Sequence, residues 1–171
     1  MRLFTILGLL CSVIIADILN INSFEADFVQ HVSDDKEQVI SYKGKVQALA
    51  PHYALWRYEN PVDKSVYIQK KRVTIVEPEL EQVIIRKIVQ DFNIFTLIKN
   101  AQKISENSYL AKLDETEIFI EFSDSKLASL SYKDKFDNDV KVLFSNQHQN
   151  ITIPTEIFNP TYPLEYDIIS E

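Results

Sequence analysis

From Phe24 onward, apolar and polar residues alternate along the chain. Phe24, Ala26 and Phe28 share one face, with Glu25 and Asp27 on the other. Ile40, Tyr42, Gly44, Val46 and Ala48 repeat the pattern against Ser41, Lys43, Lys45 and Gln47. Strand side chains point alternately to the two faces of a sheet, so a period of two predicts strands with one buried and one wet face. Ala54, Trp56 and Tyr58 fall together in the next run, followed by Val66 and Ile68, Val73 and Ile75, then Val83 and Ile85. Short polar breaks at Asp34 to Lys36, Asn60 to Asp63 and Glu77 to Glu79 separate these runs. Short strands with short links pair as antiparallel neighbours, and such a sheet curls into a barrel or half-barrel.

The rhythm changes at Gln90. Phe92, Phe95 and Ile98 recur at a spacing of three, with Ile94, Leu97 and Ala101 adjoining, which predicts a short amphipathic helix capped by Asp91. Strands resume at Tyr109 to Leu113, Ile118 to Phe122, Leu127 to Tyr132 and Val140 to Phe144, with turns at Asp114 to Glu115, Ser123 to Ser125 and Asp134 to Asp139. Pro154, Pro160 and Pro163 forbid a helix in the tail, so an extended finish along a sheet edge is expected. The fold class that follows is mainly β with short helices. A barrel filled by its side chains and one enclosing a cavity under a Phe-rich helix both satisfy this pattern.

The first sixteen residues break the alternation. Arg2 supplies a positive start, Leu3 to Ile15 are almost wholly apolar, and Ala16 precedes Asp17. This is the layout of a secretory signal peptide, too short in its apolar part for an ordinary membrane-spanning helix. The expected division is a signal peptide over 1–16, cleaved near Ala16, and a single domain over 17–171. Cys11, the sole cysteine, would leave with the signal, and with it any disulfide or thiol chemistry. Without Arg2 the chain holds 17 basic and 25 acidic residues, a net −8. That surplus of negative charge argues against nucleic acid as a partner.

Little in the chain points to catalysis. Gly44 is the single glycine after residue 16, whereas phosphate loops and dinucleotide fingerprints need several. The three histidines, His31, His52 and His148, lack a second ligand at metal spacing. The acidic pairs fall in predicted turns or on wet faces, whereas a carboxylate catalyst wants a partly buried setting. We therefore expect no enzymatic activity, no catalytic residue, no metal and no cofactor.

Several segments, in order, resemble the LolA family of periplasmic outer-membrane lipoprotein carriers. Ile21 to Gln30 is similar to the family's opening, with Phe24, Phe28 and Gln30 in the spacing F-x-x-x-F-x-Q. Gly44 and Val46 stand where the family has a G-x-L/V strand. Pro51 to Pro61, around Trp56, resembles R-P-x-x-F-x-W-x-x-x-x-P. Pro78 and Gln82 fit the turn D-P-x-x-x-Q, Phe95 to Ile98 stand where the family has its lid helix, and Phe158 to Pro160 resembles its closing segment. The resemblance spans nearly all of the chain after the predicted signal.

It implies a half-open antiparallel β-barrel closed by a helical lid, with an acyl-binding cavity between them. The residues it assigns to that cavity are Phe28, Ala54, Trp56, Tyr58, Phe92, Phe95 and Ile98. The implied partners are lipoproteins held by their acyl chains, an inner-membrane lipoprotein-releasing ABC transporter as donor, and an outer-membrane acceptor, with the carrier acting in the periplasm as a monomer. A lipid-binding or lipoprotein-sensing module on the same fold is the alternative. Two positions depart from the family. Its lid-latching arginine falls on Ala50, leaving His52 or Arg57 as substitutes, and its phenylalanine two residues before the tryptophan falls on Ala54.

Overall fold

The computed structural model describes residues 19–88 and 94–170. The predicted signal peptide with Cys11, and the proposed helix start at Asp91 and Phe92, lie outside the described residues.

Six strands come first: β1 (Ser23–Ser33), β2 (Val39–Leu49), β3 (Tyr53–Asn60), β4 (Lys64–Gln69), β5 (Arg72–Glu77) and β6 (Gln82–Lys87). The helix α1 (Ile94–Lys99) follows, then β7 (Gln102–Lys103), β8 (Ser108–Leu113), β9 (Thr116–Ser123), β10 (Lys126–Lys133), β11 (Asp139–Gln149) and β12 (Asp167–Ser170). These strands form one sheet in the order β12-β6-β5-β4-β3-β2-β1-β11-β10-β9-β8-β7. The order is linear, with β12 and β7 at its two edges, so the sheet is not a closed barrel. Every pairing is antiparallel except β12 on β6, which is parallel. A parallel partner cannot follow through a tight turn, and the long stretch from β11 back to β6 supplies the crossover.

The turns explain why the strands stop where they do. The β1–β2 and β10–β11 hairpins end in the same five-residue device. The Asp34 carboxylate accepts the amides of Lys36 and Gln38, with Glu37 at φ 60°. The Asp134 carboxylate accepts those of Phe136 and Asn138, with Asp137 at φ 64°. An Asp side chain bonding its own backbone in this way replaces a lost ladder contact and closes the turn. The β9–β10 hairpin turns on Asp124 and Ser125, both at positive φ, the requirement of a two-residue type I′ turn. In a chain so poor in glycine, Asp, Asn, Ser, Glu and Lys carry the left-handed positions.

Two apolar clusters lie on opposite faces. The larger holds the inward residues of β1, β2 and β8–β11 together with Phe95 and Ile98 of α1. The smaller lies behind β3–β6, where Leu55, Tyr67, Val76 and Val83 meet Ile153 and Phe158 of the C-terminal segment. The β3–β6 half is therefore apolar on both faces, as a sheet covered on both sides must be. Val73 and Ile75 turn to the inner face. Val83 and Ile85, which show the same alternation, turn to the outer one, because Val83 pairs with Val76 and Ile84 with Ile75. The tail is extended as expected but includes a 3-10 turn at Thr155–Phe158, short enough to fit between Pro154 and Pro160.

Candidate functional site

The inner face of the sheet bounds a cavity of about 480 Å³. Ala54 and Trp56 of β3, and Val66 and Ile68 of β4, line one side of it. Leu113 of β8 and Ile118 of β9 line the other, far along the strand order. Strands so distant in the order can share a cavity only if the sheet is strongly concave, which is the shape its right-handed twist favours. Ile94, Phe95 and Ile98 of α1 complete the lining.

Local sequence sets this geometry. The register pairs Ala48 with Ala54, so two small side chains face each other where larger ones would fill the space. Gly44 lies opposite Phe28 on β1 and Tyr58 on β3, at a bulge where β3 carries an extra residue, Glu59. The missing side chain lets the Phe28 ring settle over it. Phe28 meets Trp56 and Tyr58 edge-on, each with ring centroids 5.1 Å apart. Aromatic pairs at such angles attract beyond their buried area.

Of the residues assigned to the cavity, Ala54, Trp56, Tyr58, Phe95 and Ile98 line it. Phe28 does not; with 2% of its surface exposed it is packed behind the wall, bracing Trp56 and Tyr58. Phe92 is outside the described residues. Phe24, Ala48, Ile118, Leu130 and Phe144 also line the cavity, and period-two parity had already put Phe24 and Ala48 on the inward face. Gln30 and Tyr132 are further lining residues, polar side chains that an apolar pattern does not mark as inward.

The two substitutes for the missing arginine fare differently. Arg57 belongs to the outer face, where its guanidinium donates to Gln47 Oε1 at 3.1 Å and Gln47 in turn donates to Glu25. It points away from α1 and cannot latch it. His52 sits in the β2–β3 turn, its carbonyl accepting the amide of Lys70 at 3.1 Å. Ala50 packs against the core and donates its amide to Asn22.

Trp56 gives this cavity an optical reporter. An apolar molecule entering it is expected to shift Trp56 emission to shorter wavelength, since the indole is the chain's only tryptophan and contributes to the wall. An emission spectrum unchanged at a probe concentration where equilibrium dialysis shows saturation would place the bound molecule elsewhere.

Comparison with known proteins adds the family. The family model for the outer membrane lipoprotein carrier protein LolA matches residues 19–161. The outer-membrane lipoprotein carrier protein of Campylobacter jejuni is 37% identical over 151 residues, covering 88% of either chain. That of Helicobacter pylori is 37% identical over 139 residues, 81% of this chain and 74% of its own. Among solved structures, an uncharacterised conserved protein from Thermus thermophilus superposes with a TM-score of 0.53 over 90% of this chain and 93% of its own, at 10% identity. That likeness concerns the fold alone. With the family match running from ahead of β1 to the segment behind the sheet, and two carriers aligned along most of their length, the chain belongs to the LolA family.

Proposed function

We propose that this protein is a periplasmic carrier that takes up lipoproteins by their acyl chains and passes them from an inner-membrane ABC transporter to an acceptor at the outer membrane. The observation that carries this reading is the apolar cavity of about 480 Å³ within a chain of this family. Its size falls in the range of sites that enclose small ligands, roughly 300–1,000 Å³. Each acyl methylene moved from water into such a space contributes about 0.8 kcal/mol. A lipoprotein free in an aqueous compartment would aggregate, and a soluble wall around its chains prevents that.

A carrier must also let go. In this reading α1 is a lid. The six described residues of α1 are too few to form a stable helix alone, and they are held by packing, chiefly through buried Phe95 and Ile98. Admitting an acyl chain displaces those contacts, and their cost lowers the net affinity to a level from which an acceptor can withdraw the cargo. No nucleotide is consumed in this chain; the energy of extraction belongs to the donor transporter.

The test is binding of a diacylated lipopeptide and of the same peptide without lipid, followed by calorimetry. Uptake of the lipidated form alone is expected. Ala54→Glu, which sets a charged side chain into the apolar wall opposite Ala48 and beside Ile68, is expected to weaken binding about tenfold, with little change in the unfolding midpoint. Equal behaviour of the two peptides would end the carrier reading. Equal affinity of the variant would move the acyl chains out of this cavity.

A further inference from the structure

The cavity wall is not uniform along the strands. At one end the register aligns Phe24, Ala48, Ala54 and Ile68 in a single cross-strand row, all of them lining the cavity. Toward the Asp34–Gln38 and Asp134–Asn138 turns the lining changes to Gln30, Tyr58, Tyr132 and the Asp134–Lys135 corner. Gln30 interrupts the apolar inner face of β1, between Phe28 and Val32, and Tyr132 stands two strands away across β11.

Gln30, Tyr58 and Tyr132 present donors, while the Asp134 carboxylate is taken up by the amides of its own turn. The Tyr58 hydroxyl donates to Gln30 Oε1 at 3.0 Å, which uses the acceptor of that side chain. Among the described residues, Gln30 Nε2 and Tyr132 Oη have no protein acceptor. Burial pushes the Tyr58 phenol up to about 12 and raises that of Tyr132, so both keep their protons at ordinary pH. Gln30 Nε2 and Tyr132 Oη both reach solvent, so a ligand that displaces their water must supply an acceptor in its place or leave the donors unsatisfied. A pure hydrocarbon supplies none. An ester carbonyl is an acceptor only, and it is the group that joins an acyl chain to glycerol.

We propose that this polar end is a subsite for the ester carbonyls of a diacylglyceryl group, which Gln30 Nε2 and Tyr132 Oη bind, so that the ligand lies with its acyl tails at the Phe24–Ala54 end. This deepens the carrier reading and rests on it. It gives the cavity a direction: the polar part of the ligand stays near the two Asp-closed turns, where a chain attached to it leaves the protein.

The experiment compares a peptide bearing S-(2,3-diacyloxypropyl)cysteine with its 2,3-dialkyloxy ether analogue of equal chain length. Binding of each is measured for the wild-type protein and for a variant combining Gln30→Leu, Tyr58→Phe and Tyr132→Phe, so that no hydroxyl in the set loses its partner. A phosphatidylglycerol with the same acyl chains serves as the second source of the diester. The wild type is expected to prefer the diester over the diether about tenfold, the contribution of one or two hydrogen bonds. The variant is expected to lose that preference while holding the diether as before. Loss of the preference with either diester source supports the subsite and shows which source binds. Equal binding of diester and diether by the wild type, or equal weakening of both in the variant, overturns the subsite and leaves the carrier intact. Failure of the wild type to bind any of the lipids overturns the carrier reading, and the subsite with it.

Discussion

Gly44→Ala is expected to cost about 3 kcal/mol of stability, the upper range for forcing extra atoms into a packed interior, and to leave little folded protein. A Cβ placed on Gly44 would overlap the carbonyl oxygen of Arg57, lie 2.9 Å from its carbonyl carbon and 3.0 Å from Cε1 of Phe28. Two of these neighbours are backbone in the paired strand β3, so no rotamer change relieves the overlap. Strands β2 and β3 would have to separate at the Glu59 bulge, and the Phe28 ring beneath Trp56 and Tyr58 would lose its seat. The ordinary backbone advantage of alanine over glycine in a strand is roughly 0.5–1 kcal/mol and does not offset this. Urea denaturation of the variant checks it. An unchanged midpoint would mean that the strands part at this bulge without cost.

The second large effect belongs to the opposite face. Phe158 has no exposed surface and stacks on Tyr53 with ring centroids 5.4 Å apart and planes 28° apart. It fixes the C-terminal segment over Leu55, Tyr67, Val76 and Val83. Phe158→Ala is expected to cost about 3–5 kcal/mol, as for other buried phenylalanines cut back to alanine. It would also loosen β12, which reaches the β6 edge only after this segment has crossed the outer face. The cavity lies on the other side of the same strands, so the molecules that remain folded should bind lipopeptide with wild-type affinity. Loss of binding without loss of stability would show that the two faces are coupled through β3. A cost below about 1 kcal/mol, far short of the usual range, would show that the segment is held elsewhere. Ala54→Glu is the converse case, altering binding and sparing stability, and together the two variants separate the face that binds from the face that supports.

Much of this architecture is written in alternation. Side-chain direction in a strand depends only on parity, so Phe24, Ala26 and Phe28, or Val46 and Ala48, declare a common face before any partner is known. The Asp-led turns are equally local, since the side chain that closes each turn bonds backbone two and four residues on. Ordered motifs around Gly44, Trp56 and Pro78 pointed to the family. Tertiary structure decided the rest. Parity cannot say whether inward residues meet across the sheet or leave a space between them, because that depends on curvature and on the Ala48–Ala54 pairing across strands. It placed Phe28 with Trp56 on the inward face, but the close approach at Gly44 put the phenylalanine behind the wall and the tryptophan in it. Arg57, one residue from Trp56, was turned to the outer face by the same parity, which no motif match registers. The parallel docking of β12 on β6 and the covering of the outer face by Phe158 join positions far apart in the chain. No local pattern encodes such contacts, for they form only once the intervening strands have built the surface on which the tail comes to rest.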